Sequence, residues 1–296
     1  MKYLSPTSVE EAAGLLASGG ARVFAGATDL IPQLRAGRPE PDTLVDLKRI
    51  DRLVSLNRHE RGWTIGAATP TVRLTEDAEL AAIFPGLIEA AGLIGSDQIQ
   101  SRCSLGGNLC NASPAADSVP AMVVNRMRAV IATGSATRTI PVEDVVTGPG
   151  QTSLGPDEFV VELELDLPPA RSCDAYLRFI PRTEMDIAVV GAGARVTLDE
   201  AGNCASAVIA LGAVAPTVVR VADAEAAVAG RPLDGDTLGD TLGAVAAAAS
   251  AACNPIDDKR GTIAYRRHVA GVLARRALLL AAEGASERSR SNGGTR

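Results

Sequence analysis

The sequence predicts an α+β fold built from two domains, and three observations lead to this prediction. In the first half of the chain, helical patterns alternate with short strands and glycine-rich turns. Residues 159–167 then alternate apolar and acidic side chains, which is the pattern of a half-buried antiparallel strand. Three further strand patterns follow before the sequence becomes helical, and this separation of strands from helices is typical of the α+β class.

The composition is that of a packed globular protein. The 296 residues include 29 Lys and Arg and 35 Asp and Glu, a formal charge of −6, and 46% are hydrophobic. The negative charge disfavours general nucleic-acid binding, and with 3% aromatic residues we expect no stacking platform for single strands. No apolar run reaches the roughly 18 residues of a membrane span, and the N-terminus lacks the pattern of a secretory signal.

The cysteines indicate a reducing compartment, so we expect a cytoplasmic protein. There are five of them, an odd number, and they are widely spaced without a Cys-x-x-Cys pair. This spacing predicts no zinc site and no iron–sulfur cluster held by this chain alone. We therefore assign no metal ligands.

The first domain is predicted to span residues 1–168, with subdomains of about 1–57 and 58–168. Thr7 and Glu10 have the spacing of a capping box at the start of the first helix. Strands are predicted at 22–25, 43–47, 63–68 and 127–133, and helices at 30–36, 77–83 and 87–94. Residues 95–120 are rich in Gly, Ser, Asn and Pro and are predicted to form a long loop, which in a compact domain is usually functional.

The second domain is predicted to span residues 172–283, after the boundary at Pro168 and Pro169. Strands are predicted at 175–180, 188–198 and 205–211, and helices at 222–229, 237–252 and 262–282. In the last helix Arg266 and Arg267 are predicted to face solvent. Residues 284–296 are rich in Ser, Arg and Gly and are predicted to be a disordered tail.

A first small-residue loop, Ala25-Gly26-Ala27-Thr28-Asp29, lies between a predicted strand and a predicted helix. Small side chains let backbone N–H groups approach an anion closely, and Thr28 adds a hydroxyl donor. The loop lacks the Gly-Lys-Ser/Thr ending of a Walker A loop and is no Gly-x-Gly-x-x-Gly turn. Taken alone, it is better explained as a tight turn.

A second loop, Ser104-Leu105-Gly106-Gly107-Asn108, is followed nine residues later by Asp117. Its two glycines can present several N–H groups to one pyrophosphate, and Ser104 and Asn108 add polar side chains. Asp117 is a candidate acceptor for a ribose hydroxyl. A glycine turn with local Asn and Asp hydrogen bonds explains the same residues equally well.

Both loops belong to a longer series of motifs that resembles one family, the flavin-binding medium subunits of molybdenum hydroxylases of the xanthine and carbon monoxide dehydrogenase type. The resemblance runs from Tyr3 to about Leu280. Its motifs are Phe24-Ala25-Gly26-Ala27-Thr28-Asp29-Leu30; Ile94-Gly95 through Ser104-Leu105-Gly106-Gly107-Asn108 to Asn111-Ala112-Ser113-Pro114-Ala115-Ala116-Asp117; Arg178-Phe179 with Arg182 and Asp186-Ile187-Ala188; Gly212-Ala213-Val214-Ala215-Pro216-Thr217; and Tyr265-Arg266-Arg267-His268.

The resemblance implies a vanillyl-alcohol-oxidase-type FAD-binding domain, followed by a C-terminal domain with a three-stranded antiparallel sheet and a helix bundle. It also implies non-covalent FAD, with the diphosphate against the two loops, and no catalytic side chain. The cofactor-binding residues that it implies are Ala25, Gly26, Ala27, Thr28, Asp29, Leu30, Ile94, Ser104, Leu105, Gly106, Gly107, Asn108, Asp117, Val160 and Arg178.

Two positions depart from the pattern of the family. Ala27 stands where a second glycine is usual, and an alanine is strained there if the position needs a positive φ. Cys103 also stands at a glycine position, beside the second loop. We interpret it as a buried inert thiol, with a redox-sensitive thiol as the alternative.

The function implied is that of an electron-transfer subunit, not of a complete enzyme. A large molybdopterin-binding subunit and a small [2Fe–2S] subunit are the expected partners, in a dimer of heterotrimers. Electrons from the [2Fe–2S] clusters would collect on FAD and pass to an external acceptor. The alternatives are a self-sufficient flavin oxidoreductase of the same fold and a non-catalytic assembly scaffold without FAD. Stoichiometric flavin binding discriminates the scaffold from the other two.

Overall fold

A computed structural model describes residues 1–134, 136–182, 185–233 and 238–293. The chain divides into two compact units. The first unit contains Met1–Glu76, Ile94–Ser113 and Arg126–Leu167, and the second contains Asp77–Leu93, Pro114–Asn125 and Pro168–Arg296. The predicted division at residue 168 is contiguous in sequence, whereas the second unit also includes two segments from upstream of it.

The strands and helices are numbered in chain order. The strands are β1 (Lys2–Leu4), β2 (Ala21–Phe24), β3 (Thr43–Asp46), β4 (Leu56–His59), β5 (Gly62–Gly66), β6 (Arg128–Thr133), β7 (Ala136–Pro141), β8 (Val146–Gly148), β9 (Gln151–Thr152), β10 (Glu158–Asp166), β11 (Ser172–Phe179), β12 (Val190–Leu198), β13 (Cys204–Gly212) and β14 (Val219–Arg220). The α-helices are α1 (Val9–Ala17), α2 (Leu30–Arg35), α3 (Thr71–Thr75), α4 (Ala78–Ile83), α5 (Pro85–Gly92), α6 (Asp97–Gln100), α7 (Leu105–Cys110), α8 (Ser118–Val124), α9 (Ala222–Val228), α10 (Leu238–Ala252) and α11 (Ile263–Gly293).

The first unit contains two main sheets. A parallel three-stranded sheet has the order β1-β3-β2, and an antiparallel five-stranded sheet has the order β4-β5-β10-β6-β7. Helix α1 buries Ala12 and Leu16 in a core that also contains Val45 from β3 and Phe159 from β10. Because this core joins α1 to strands of both sheets, it fixes the position of the segment that follows β2.

The second unit contains one antiparallel sheet and a group of helices. The sheet has the order β11-β12-β13-β14, in which three long strands are followed by a two-residue edge strand. Helices α9, α10 and α11 contribute to one core with these strands, for example through Val245 and Leu278. The strand-then-helix order of the sequence produces this arrangement, because each helix buries one apolar stripe against the sheet.

A buried carboxylate ties the two upstream segments into the second unit. Asp174 on β11 accepts hydrogen bonds from the N–H groups of Gly86 (3.2 Å) and Leu87 (2.9 Å) and from the side-chain amide of Asn125 (2.7 Å). Gly86 and Leu87 lie at the N-terminus of α5, where an anion is favoured by the helix dipole. A sequence pattern cannot reveal such a contact between segments so far apart in the chain.

Two local predictions for the first half of the chain require correction. Helix α1 is capped by Ser8, whose hydroxyl accepts from the N–H of Glu11, so the cap lies one residue after the predicted Thr7. Residues 95–120 are not one long loop, since the short helices α6 and α7 and the start of α8 lie in this range. Its composition hid these helices because Gly, Ser and Asn have low helix propensity.

Helix α11 also differs from its prediction. It continues to Gly293, where a disordered tail was predicted from residue 284, and Ala285 is fully buried on it. Arg266 was predicted to face solvent but is only 4% exposed. Its guanidinium donates to the carbonyl oxygens of Val189 (2.8 Å) and Ala213 (3.2 Å) and to the carboxylate of Asp258 (2.7 Å), and these bonds compensate the burial of the charge.

Two features are absent from the described residues, a membrane-spanning helix and a cluster of metal ligands. No helix there combines the length and the apolar character that crossing a bilayer requires. Nor do three or more His, Cys, Asp or Glu side chains come together as a possible metal site in the same residues.

Candidate functional site

The first unit holds a cavity of about 960 Å³, including its open mouth. The residues that line this cavity are Arg22, Val23, Phe24, Ala25, Gly26, Ala27, Thr28, Asp29, Leu30, Gln33, Leu47, Ala67, Ala68, Ile94, Cys103, Ser104, Gly106, Gly107, Asn108, Cys110, Asn111, Leu154, Glu158, Phe159 and Val160.

One wall of the cavity is the loop of residues 25–29, which joins β2 to α2. A methyl group at Gly26 would overlap the carbonyl oxygen of Arg102, so only glycine allows the chain to pass there. Ala27 has φ = +60°, the left-handed conformation that favours glycine. Among the described residues, no acceptor binds the N–H groups of Gly26, Ala27 or Thr28. The loop therefore offers free backbone donors at the surface of the cavity.

The side chains of Lys48, Asp46 and Tyr3 form a hydrogen-bonded chain that holds this loop in place. The ammonium of Lys48 donates to the carbonyl oxygen of Ala25 (2.8 Å) and to the carboxylate of Asp46 (2.5 Å), and it lies 4.5 Å from the centre of the Phe24 ring. The hydroxyl of Tyr3 donates to the other oxygen of Asp46 (2.5 Å). Burial alone would raise the pKa of Asp46, but the hydrogen bonds from Lys48 and Tyr3 lower it overall. The loop is thus held by an ion pair that stays charged.

A second wall of the cavity is the N-terminal half of α7. Ser104 caps this helix, and its hydroxyl accepts from the N–H of Gly107 (3.0 Å). A Cβ atom at Gly106 would lie 2.5 Å from the carbonyl oxygen of Ala67, so glycine lets α7 pack directly on the backbone there. The first N–H groups of a helix lack partners within the helix and carry a partial positive charge. Both walls therefore present hydrogen-bond donors.

Strand β10 provides a third wall, which is mostly apolar. The pairing of β10 with β6 shifts register between Val160 and Glu162, which marks a β-bulge. Glu158, Phe159 and Val160 are consecutive, and all three line the cavity. The three residues pair regularly with β6, and the register shift begins directly after Val160.

Three of the lining residues carry charge: Arg22, Asp29 and Glu158. Arg138 binds Glu158 through two hydrogen bonds of 2.8 and 2.7 Å and lowers the pKa of that carboxyl to about 2. Desolvation raises the pKa of Asp29, and no side-chain bond to the helix N-terminus offsets this effect. Desolvation also lowers the pKa of Arg22, and the nearby positive charge of Arg38 acts in the same direction.

Two thiols line the cavity and are protonated at neutral pH. Desolvation raises the pKa of Cys110 to about 12. Cys103 is 5% exposed, its sulfur lies 3.2 Å from the hydroxyl of Thr71, and burial raises its pKa as well. Reactive cysteines have lowered pKa values, so the structure favours the inert interpretation of Cys103.

The structure places most of the predicted binding residues around this cavity. Leu105 is buried beneath the surface of the second wall and does not line it. Asp117 and Arg178 lie in the second unit and are not lining residues either. The predicted residues that line the cavity are Ala25, Gly26, Ala27, Thr28, Asp29, Leu30, Ile94, Ser104, Gly106, Gly107, Asn108 and Val160.

Asp117 and Arg178 form a buried ion pair within the second unit. The guanidinium of Arg178 donates to Asp117 (2.9 Å) and to the carbonyl oxygen of Leu93 (3.0 Å), and the hydroxyl of Tyr176 donates to the other oxygen of Asp117 (2.9 Å). Burial raises the pKa of Asp117 although both partners oppose this effect. The contact of these two residues with a cofactor stays a prediction.

Several lining residues were not predicted. Gln33 and Asn111 are joined by a hydrogen bond of 2.9 Å, and both line the cavity. Asn111 lies within the second sequence motif and could have been selected from it. Arg22 lies three residues before the first loop, close enough in sequence to be a candidate. For Gln33 no sequence signal exists, because only the folded chain brings it near Asn111.

Comparison with known proteins identifies the family. Residues 1–168 match the model of the FAD binding domain in molybdopterin dehydrogenase, and residues 175–281 match the CO dehydrogenase flavoprotein C-terminal domain. The chain belongs to this flavoprotein family. The expected fold class is confirmed, because both domain types occur in the predicted order along the chain.

Relatives with known names agree with this family. The chain is 33% identical to the carbon monoxide dehydrogenase medium chain of Afipia carboxidovorans, over 93% of this chain and 94% of that protein. It is 30% identical to the nicotinate dehydrogenase FAD-subunit of Eubacterium barkeri, over 80% and 82% of the two chains. A structure of carbon monoxide dehydrogenase from Hydrogenophaga pseudoflava has a TM-score of 0.89 at 30% identity, covering 96% and 98%. The chain is thus an FAD-binding medium subunit of the molybdenum hydroxylases, a flavoprotein subunit of an oxidoreductase.

The cavity of this chain fits the cofactor of the family. FAD carries an anionic diphosphate, two ring systems and a polar chain between them. The free N–H groups of residues 26–28 and the N-terminus of α7 suit an anion, as at other phosphate sites. Apolar lining residues such as Ile94, Leu47 and Phe159 suit the faces of flat rings.

Proposed function

We propose that this chain is the electron-transfer subunit of a multi-subunit molybdenum hydroxylase. In this proposal it takes electrons from [2Fe–2S] clusters of a small partner subunit and passes them from FAD to an external acceptor. A large partner subunit, which binds the molybdopterin cofactor, catalyses the hydroxylation of the substrate. The family assignment supports the flavin, and the names of the relatives, such as "medium chain" and "FAD-subunit", support the multi-subunit assembly.

We propose that FAD lies in the cavity of the first unit. The observation that carries this assignment is the pair of donor walls: three free N–H groups on the loop of residues 25–29 and the N-terminus of α7. Lys48 holds the carbonyl oxygen of Ala25, so it keeps the loop in the shape that presents these donors. When bound, FAD supplies the redox chemistry, and the protein provides binding and orientation.

The residues of the chain then have positioning roles, and none of them is an acid, a base or a nucleophile in the reaction. Ser104 and Gly107 fix the first turn of α7 against the diphosphate. Ile94 and Val160 pack beside the flavin or its chain. Burial raises the pKa of both cavity thiols, so they are not thiolate nucleophiles toward the cofactor.

The assembly and the compartment are also part of the proposal. We expect a dimer of heterotrimers, each with one large, one medium and one small subunit. The five cysteines are free, which suits a reducing compartment such as the cytoplasm.

The test begins with the absorption spectrum of the purified chain, followed by heat release of its cofactor. We expect a flavin spectrum, close to one flavin per chain, and FAD rather than FMN on release. An affinity-tagged chain isolated from its own cells should also carry iron and molybdenum in fixed proportion to the flavin. The matched variants are Gly107→Val, which places a side chain at the cavity wall, and Gly14→Ala, which adds a methyl group in open space. Only the first should lose the flavin.

Two results would contradict the proposal. A colourless chain that also refuses added FAD would indicate an assembly scaffold. A chain that binds FAD but brings neither iron nor molybdenum from its own cells would indicate a self-sufficient flavin oxidoreductase.

A further inference from the structure

The two acidic side chains that line the cavity do not balance the negative charge of the FAD diphosphate, so a positively charged residue is of interest. A diphosphate carries about two negative charges, and backbone N–H groups supply partial charges only. Burying an anion is costly unless a cation or several hydrogen bonds compensate it. Of the two acids that line the cavity, Glu158 is bound by Arg138, whereas Asp29 adds a further negative charge. A cation in the cavity would therefore add compensation that the backbone donors supply only in part.

Arg22 is the one cation among the described residues that line the cavity. It lies on β2, three residues before the loop of residues 25–29, and its side chain is half-buried. No carboxylate or carbonyl oxygen of the described residues accepts a hydrogen bond from its guanidinium, whereas most buried polar groups have a partner. An arginine that is partly desolvated and without an acceptor favours an anionic ligand.

The surroundings of Arg22 point the same way. Desolvation lowers the pKa of Arg22, and the positive charge of Arg38 lowers it further. Arg38 donates to the amide oxygen of Gln33 and does not line the cavity. An anion in the cavity would relieve both the desolvation and the repulsion between the two arginines.

We infer that Arg22 binds the diphosphate of FAD, through a charge-assisted hydrogen bond from its guanidinium to a phosphate oxygen. This inference rests on the function proposed above and adds a cation to the donor walls. A hydrogen bond between a guanidinium and a phosphate is stronger than one between neutral groups, so its loss should be visible in the affinity.

The experiment is a titration of the FAD-free full-length chain with FAD, followed by flavin fluorescence at low and at high salt. We expect Arg22→Gln to raise the Kd for FAD by about 10- to 100-fold, the range for one hydrogen bond to a charged group. Arg22→Lys keeps the positive charge, so its affinity for FAD should fall less than that of Arg22→Gln. The affinity of the wild-type chain should fall with salt because salt screens a half-exposed ion pair, and Arg22→Gln should weaken this dependence.

Arg35→Gln is the matched control, since Arg35 is an exposed cation on α2 that does not line the cavity. It should change the Kd by no more than about threefold, and thermal unfolding should show that all variants fold. If wild type and Arg22→Gln bind FAD equally well, or if Arg35→Gln loses as much affinity as Arg22→Gln, the inference is wrong while the proposed function stands. If the wild-type chain binds no FAD at all, both fail.

Discussion

The side-chain amide of Gln33 donates a hydrogen bond of 2.9 Å to the amide oxygen of Asn111, although 78 residues separate them in the chain. Gln33 lies on α2, directly after the first small-residue loop, and Asn111 is the residue that ends α7. The bond therefore sets the distance between the two donor walls of the cavity.

We expect Gln33→Ala to weaken FAD binding about fivefold, because one neutral hydrogen bond contributes about 1 kcal/mol. The Kd from a fluorescence titration measures this effect. The double variant with Asn111→Ala isolates the coupling between the two side chains. If the two single changes add without coupling, the bond does not position the walls.

The positive φ of Ala27 leads to a second expectation. Ala27→Gly should raise the free energy of unfolding by about 0.5–1 kcal/mol. The left-handed conformation costs an alanine about 1–2 kcal/mol, and glycine removes this cost. Part of the gain is lost because glycine also increases the entropy of the unfolded chain. Urea unfolding measures the change. Ala247→Gly in the middle of α10 should have the opposite sign and cost about 1 kcal/mol. If Ala27→Gly is less stable than the wild type, the contacts of the alanine methyl group stabilise the fold by more than its backbone strain costs.

Two adjacent glycines should respond differently to the same added methyl group. At Gly106 the new Cβ meets the backbone of Ala67, so Gly106→Ala should cost about 1–3 kcal/mol of stability. At Gly107 the new Cβ lies 3.0 Å from the Ser104 hydroxyl and faces no backbone within 4 Å, so the fold should persist while the Kd for FAD rises about tenfold. Thermal unfolding and FAD titration of both variants separate the effects. Equal losses of stability would contradict the distinction.

The ion pair between Glu158 and Arg138 predicts an acid-sensitive contribution to stability. The pKa of Glu158 is lowered to about 2 in the folded chain, from 4.5. Because the folded state holds the charged form, the contribution is complete above pH 4.5 and is lost as the pH falls towards 2. Arg138→Gln should therefore flatten the decline of the free energy of unfolding over this interval. Arg35→Gln, at another exposed arginine, should leave the decline unchanged.

The outline of the fold could be predicted wherever side chains alternate with a clear period. The strand predicted at 159–167 is β10, Glu158–Asp166, and the alternation correctly predicted that Phe159, Val161, Leu163 and Leu165 are buried. The short helices α6 and α7 could not be predicted, because capping and packing produce them against the preference of their glycine, serine and asparagine residues. The burial of Arg266 could not be predicted either, because only the folded chain brings the carbonyl oxygens that accept its hydrogen bonds close to it.

The candidate site divides in the same way. The loop of residues 25–29 and the Ser104–Asn108 segment could be selected because small residues between a strand and a helix already indicate close approach to a ligand. Arg22 lies three residues before the first loop and could have been selected from the sequence, whereas only the folded chain brings Gln33 near Asn111. Lys48 supports the first loop from 23 residues downstream, and its role depends on the parallel pairing of β2 with β3.

The carboxylate of Asp174 has a consequence for how the protein is made. Its partners Gly86 and Asn125 are synthesised 88 and 49 residues earlier. At about 5–20 residues per second, a ribosome needs roughly 2 to 18 s to supply the missing strand. Until then α5 and α8 stay without it, and all seven residues of α8, buried in the finished protein, are open to unwanted association. A chaperone bound to the growing chain would therefore protect the segments Asp77–Leu93 and Pro114–Asn125 during this interval.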